Sequence, residues 1–214
     1  MLIVDRAGVL GLTAAIRIQQ RLKPSQSILI VARDFPTSTS INYTSPWAGA
    51  HYRPVPSSSE QFAAEAKQAL RTYEVFKQIA AEEPAAGVKF MEGVEHFEAP
   101  TPEYIEAIRK KDIGFTHLSG FRELPKEELP PGVKLGFRYQ TYCLNPPVYC
   151  AHLLRKFVLR GGKTTEYTLA NPMEAFELAS NVKTVVNCSG MGFSDTKSFI
   201  IRGTKPCRLI LTNE

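Results

Sequence analysis

The segment from Leu2 to Ala32 constrains this chain more than any other. Leu2-Ile3-Val4 is a short apolar run, and a turn carrying Gly8 and Gly11 follows it. From residue 9 to residue 22 the apolar side chains Val9, Leu12, Ala15, Ile16 and Leu22 recur close to a helical stripe. Arg17, Gln19 and Gln20 fall outside that stripe, and Lys23-Pro24-Ser25 predicts the helix end. Residues 28–32 are continuously β-branched or apolar, as a strand buried on both faces should be. Strand, glycine turn, helix and strand in this order make one βαβ unit, which predicts a parallel sheet and an α/β architecture.

A turn of this kind suits a dinucleotide for three backbone reasons. It must be tight, an amide must approach a pyrophosphate closely, and the helix must pack near the strand. Glycine serves each need by lacking a Cβ, and the helix N-terminus adds its dipole and free N–H groups. Gly8 and Gly11 meet the second and third needs, while Arg6 stands where the first glycine is expected. A plain strand–helix turn would show the same two glycines. Asp34, with Arg33 before it, ends the second strand, where an acidic side chain commonly takes the ribose hydroxyls of an adenine dinucleotide. A solvated loop pair is the competing reading there.

Downstream, residues 37–59 are rich in Ser, Thr and Pro, but the aromatic and glycine-bearing middle predicts an ordered loop. Helices are predicted over 60–81, with Ser57-Ser58-Ser59 as the capping region, over 102–111, and over 147–159, stopped by Gly161-Gly162. Residues 135–142 read as extended, 164–169 as a strand and 172–178 as a short helix. The strand predicted at 182–187 runs into Asn187-Cys188-Ser189-Gly190-Met191-Gly192. Small residues at the carboxyl end of a strand lie on the ligand edge of an open α/β sheet.

Composition narrows the function classes. With 214 residues, 43% hydrophobic and 22% charged, the chain can bury a sizeable core. No apolar run reaches the length of a membrane span, and Asp5 and Arg6 interrupt the N-terminal run too early for a signal peptide. The net charge of +5 is not gathered with aromatics on one face, so neither a nucleic-acid nor a membrane partner is expected. The four cysteines and four histidines lack metal-ligand spacing, and no metal is expected. Nor does any Ser/His/Asp set or paired carboxylate mark out catalytic side chains.

Six blocks occur in order: "AGVLGL", "VARDFP", "SPWAGAHYRP", "YCLNPPVYCAHLL", "VVNCSGMG" and "IIRG". Together they resemble the FAD-dependent D-amino-acid oxidase family, particularly its fungal members, from residue 2 to about residue 203. "SPWAGA" speaks against the other dinucleotide reading, a nicotinamide-dependent dehydrogenase. The resemblance implies a Rossmann-like FAD-binding domain from residues 1–56 and 147–203. Residues 57–146 would form a partial, interleaved α+β substrate domain, with a divergent tail at 204–214. FAD is the implied cofactor. Its pyrophosphate would lie on Ala7, Gly8, Val9, Leu10 and Gly11, and its ribose on Arg33 and Asp34. Ser45, Ala48, Gly49 and Ala50 would approach through backbone groups, Leu169 would face the adenine, and Ser189 and Gly190 the cofactor again.

Family members pass the Cα hydrogen of a D-amino acid to the flavin as hydride. The imino acid is hydrolysed to a 2-oxo acid and ammonia, and molecular oxygen leaves as hydrogen peroxide. The flavin carries this chemistry, so no catalytic side chain is assigned. A homodimer is compatible with the resemblance. The family's address is peroxisomal, although Thr212-Asn213-Glu214 is not a peroxisomal signal, which leaves a cytoplasmic location as the other expectation. Family chains run well beyond 300 residues, so a shortened form is expected, with an inactive FAD-binding remnant or interaction module as the alternative. Arg6 in the glycine position predicts weaker FAD binding than an Arg6→Gly variant would show, since a side chain held at positive φ costs on the order of 1–2 kcal/mol.

Overall fold

The computed structural model describes residues 1–23, 25–57, 59–116, 118–190 and 209–212. In chain order it runs β1 (Leu2–Asp5), α1 (Val9–Gln19), β2 (Ile28–Ala32), α2 (Glu60–Glu82) and β3 (Val88–Phe97). Next come α3 (Pro102–Arg109), α4 (Ile113–Thr116), β4 (Arg122–Glu123) and β5 (Leu135–Leu144). Then follow α5 (Pro146–Leu159), β6 (Lys163–Glu166), β7 (Thr184–Asn187) and β8 (Leu209–Thr212). The chain divides into two compact units, residues 1–48 with 146–214, and residues 49–145.

The first unit is built on a five-stranded sheet in the order β6-β2-β1-β7-β8. The first four strands are parallel, and β8 runs antiparallel to β7. The chain leaves β1 through α1 to β2 on one side and returns much later to β7 on the other. That reversal opens a crevice at the carboxyl end of β1, where open α/β sheets hold their ligands. The apolar side chains of Ile3, Val31, Leu169, Ala175, Val182 and Val185 form one buried cluster. Each fully buried aliphatic side chain of this size contributes roughly 1.5–3 kcal/mol.

The boundaries differ from the sequence reading for local reasons. α1 ends at Gln19 rather than Leu22, because Arg21 N–H turns to the Ile18 carbonyl at 2.8 Å and tightens the last turn. β6 covers only Lys163–Glu166, all four residues exposed, and ends where Tyr167 N–H donates to the Ala32 carbonyl. Residues Pro172–Leu178 form a 3-10 helix whose N-cap, Asn171, accepts from the amides of Met173 and Glu174. The "IIRG" block, Met191, Gly192 and residues 204–208 lie outside the described residues, while the tail beyond them supplies β8.

The second unit has a three-stranded antiparallel sheet in the order β3-β5-β4. β3 pairs with β5 along its whole length, from Val88 opposite Leu144 to Phe97 opposite Leu135. The ten-residue β3 is not anticipated from the sequence, where Gly93 and four charged or imidazole side chains break the apolar alternation. Gly93 is required, since a Cβ there would stand 2.9 Å from Thr141 Cγ2 and 3.1 Å from Tyr139 Cζ. Residues 50–52 run antiparallel along β5, with Ala50 and Leu144 exchanging both backbone hydrogen bonds. α2 is capped by Ser59, whose hydroxyl accepts from Phe62 N–H. It is fastened to the sheet by Tyr73, which donates to the Gln140 carbonyl at 3.0 Å. Tyr52 stacks on Tyr142 at 5.6 Å, and Tyr73 meets Phe90 edge-on at 5.2 Å.

Candidate cofactor site

The turn after β1 is pinned from several directions. Arg6 N–H donates to the Val31 carbonyl at 2.8 Å, continuing the ladder between β1 and β2 one residue past the strand. Arg6 has φ 81, a left-handed conformation that glycine adopts freely and arginine does not. Gly8 is the N-cap of α1 with extended angles, so its value is space: a Cβ there would stand 3.0 Å from Ser45 Oγ. Gly11 is more tightly held, for its Cβ would lie 2.0 Å from the Arg6 carbonyl oxygen and 3.5 Å from Cys188 Cβ. Helix, first strand and last parallel strand therefore meet at one glycine.

Two side chains that the sequence reading left without such a role tie a loop onto this turn. Tyr43 is buried and donates its hydroxyl to the Ala7 carbonyl at 2.8 Å. Ser45, at the start of the 3-10 turn Ser45–Trp47, accepts from Val9 N–H through its hydroxyl at 3.0 Å. That bond uses the first helical amide, and Leu12 N–H is taken by the Gly8 carbonyl at 2.9 Å. The amides of Leu10 and Gly11 have no intrahelical acceptor by helix geometry. α1 has no acidic residue in its first turn, and its N-cap Gly8 brings no side chain, so this end is electrostatically open to an anion.

The strand ends on either side complete the crevice. After β2, Asp34 accepts from Arg33 Nε at 2.7 Å and from Ser38 Oγ at 2.8 Å. Desolvation works to raise this carboxyl. The hydrogen bonds from Arg33 and Ser38, with the charges of Arg33 and Arg6, hold it below the usual carboxylate range. After β7, Ser189 N–H donates to Asn187 Oδ1 at 2.9 Å, and Gly190 takes φ 67 with no atom of the described residues near where a Cβ would be. Leu169 places its side chain in the apolar cluster of the sheet. Ala48 closes the 3-10 turn, its amide on the Ser45 carbonyl at 3.4 Å. Gly49, with φ 105, and Ala50 belong to the second unit.

Of the expected site residues, Ala7 to Gly11, Arg33, Asp34, Ser45, Ser189 and Gly190 thus sit on the turn or on strand ends of one unit. Asp5 was not among them, yet it is the most unusual group present. It is 1% exposed, and its Oδ2 has no hydrogen-bond partner among the described residues. Its Oδ1 lies 3.6 Å from Arg6 Nε. Burial pushes its carboxyl up to about 6, and Arg6 pulls only part of the way back. The signal for it was an acidic residue ending an apolar run.

The residues present fit the diphosphate of a dinucleotide. Gly8 starts the helix without a Cβ, Gly11 lets the helix pack on the Arg6 backbone, the helix end supplies amides, and Asp34 stands at the second strand where a ribose would lie. A D-aspartate oxidase from Talaromyces thermophilus is 39% identical, the match covering 94% of this chain and 60% of the relative. A D-amino-acid oxidase from Rubrobacter xylanophilus is 35% identical, covering 94% of this chain and 57% of that protein. The chain thus spans about three-fifths of the length of these relatives. Among solved structures, L-amino acid deaminase from Proteus vulgaris shares the fold with a TM-score of 0.54 at 16% identity, over 76% of this chain and 43% of that one. Iminodiacetate oxidase from Chelativorans sp. BNC1 does so with a TM-score of 0.53 at 14% identity, over 78% and 47%. The family described as "DAO: FAD dependent oxidoreductase" matches residues 7–210, and the chain belongs to it.

Proposed function

We propose that this chain provides the FAD-binding part of an oxidase acting on D-amino acids, with an acidic substrate of the D-aspartate type. The crevice at the end of β1 carries the reading. There a helix end with no acidic residue in its first turn, two glycines where a Cβ would crowd its neighbours, and a ribose-positioned Asp34 converge. The substrate preference is supported by the 39% identity to a D-aspartate oxidase. In this reading Leu10 and Gly11 amides hold the diphosphate, and Ser45 and Tyr43 keep the turn in shape. Ser189 and Gly190 line the flavin side, while Leu169 offers backbone to the adenine. FAD supplies the electron acceptor, and molecular oxygen is the final one. The first unit then acts as cofactor domain and the second as the first elements of a substrate domain. The peroxisomal address of fungal relatives belongs to the same proposal.

A second reading, an FAD-binding remnant without turnover, is favoured by Arg6 at φ 81 with Asp5 buried beside it. One experiment separates the two. The purified chain is reconstituted with FAD, and the flavin absorbance is followed anaerobically on adding D-aspartate, D-alanine or L-aspartate. Bleaching by D-aspartate ahead of the others supports the oxidase. A yellow protein that no D-amino acid bleaches supports the remnant, and a folded protein that takes up no flavin overturns both.

A further inference from the structure

The glycine turn contains a charge pair that holding a diphosphate does not itself require. Asp5 closes β1 between Val31 of β2 and Asn187 of β7, its neighbours in the sheet register. Its carboxylate is buried at the mouth of the crevice, one oxygen unpartnered among the described residues and the other 3.6 Å from Arg6 Nε. A buried carboxylate beside a diphosphate opposes it, because like charges in a poorly solvated site repel strongly. The neighbouring arginine is the counter-charge. It holds φ 81, a left-handed backbone conformation that disfavours a non-glycine residue. Its charge is felt at Asp34 as well, so it lies toward the ends of both β1 and β2.

We propose that Asp5 and Arg6 form a coupled pair governing how tightly the turn holds a dinucleotide diphosphate, Arg6 neutralising both the buried carboxylate and the ligand. This rests on the reading of the turn as the FAD site. Asp5 on its own opposes binding, and Arg6 makes the turn usable in its presence. The pair therefore reverses the expectation drawn from the sequence, since Arg6→Gly restores the glycine but leaves the carboxylate uncompensated.

β2 ends in Arg33 and Asp34, already paired with each other. β7 ends in Asn187, which accepts from Ser189 N–H, and Cys188, whose thiol is pushed up to about 11 by burial and by Asp5. The Tyr43 hydroxyl is engaged on Ala7 and raised by burial, and the first turn of α1 brings no acidic residue. Below about pH 8, Asp5 is thus the group here that gains charge with rising pH in the range where it matters. The diphosphate diester of FAD keeps a constant charge over the same range.

The test is a double-mutant cycle read by binding, not turnover. FAD is titrated by calorimetry into the wild type, Asp5→Asn, Arg6→Gly and the double variant at pH 5, 6, 7 and 8. Riboflavin, which lacks the phosphates, is the control. Arg6→Gly should bind FAD about tenfold more weakly than wild type at pH 8, the equivalent of about 1.4 kcal/mol, and recover at pH 5. Asp5→Asn and the double variant should bind at least as tightly as wild type with little pH dependence, and riboflavin should not distinguish the four. Arg6→Gly binding as tightly as wild type at pH 8, or a pH dependence that survives in Asp5→Asn, overturns the pair. Should Arg6→Gly not fold at pH 8, Asp5→Asn alone decides, by losing or keeping the wild-type pH dependence. If none of the four proteins binds FAD, the cofactor reading fails, and the pair with it.

Discussion

The carbonyl oxygen of Arg6 lies 2.0 Å from the point where a Cβ on Gly11 would stand. The obstacle is backbone held in the sheet ladder, so it cannot swing away as a side chain would. Gly11→Ala should therefore destabilise the chain by about 3 kcal/mol, the upper end of what overpacking costs, and weaken FAD uptake at the same time. Thermal unfolding followed by circular dichroism, with FAD titration of the surviving folded fraction, checks both. A melting temperature within a degree of wild type would mean that the helix start can move.

Tyr43 holds the same turn from outside. Tyr43→Phe keeps the packing of a buried ring but leaves the Ala7 carbonyl without its donor. A loss of about 1–2 kcal/mol is expected in urea unfolding. Ser45→Ala removes the acceptor of Val9 N–H and should cost about 1 kcal/mol. Because both bonds secure one loop to one turn, the double variant should depart from the sum of the two.

Asp5 makes stability depend on pH in an unusual direction. Its carboxyl is raised to about 6 in the folded chain, above the ordinary 3.8 of an exposed aspartate. Between those values the folded state holds a proton that the unfolded state has released. The contribution of Asp5 is thus complete below about pH 4 and is lost as pH rises through 6, by up to about 3 kcal/mol. Asp34, held low, acts in the opposite sense. The difference in urea unfolding between wild type and Asp5→Asn isolates the first effect. It should shift in favour of the variant from pH 4 to pH 7, and a constant difference would contradict the assignment.

Gly93 is the corresponding point in the second unit. Its β5 neighbours Thr141 and Tyr139 are 0% and 1% exposed, so neither can yield to a new methyl group. Gly93→Ala should cost roughly 1–3 kcal/mol. Adding Thr141→Ser, which removes Cγ2 but keeps the hydroxyl that donates to the Tyr52 carbonyl, should recover part of that loss. Chemical unfolding of the three variants side by side gives the answer.

The cofactor half of the molecule was readable because its rules are local. A continuous apolar strand, a glycine turn and a helical stripe repeat what parallel sheets demand, so β1, α1 and β2 appear close to where the sequence puts them. β3 was invisible for the opposite reason. One face of it meets water, its alternation is interrupted by Gly93, and that glycine makes sense only beside Tyr139 and Thr141. The parts played by Asp5, Tyr43 and Cys188 were not legible either, since a lone polar residue shows its role only through its burial and its partners in the fold.

The position of β1 has a consequence for how the molecule is made. Its neighbour β2 follows within one helical crossover, whereas β7 is separated from it by the whole second unit. The amino group of Met1 closes on the carbonyl of Asn181, 180 residues away. A chain emerging from the ribosome therefore carries β1 with one flank bare while residues 49–145 are synthesised, and contacts of this span are the slow ones to form. The inserted unit can complete its own antiparallel pairing in that interval. The nucleotide crevice closes last, when β7 arrives to cover the flank of β1 that holds Asp5.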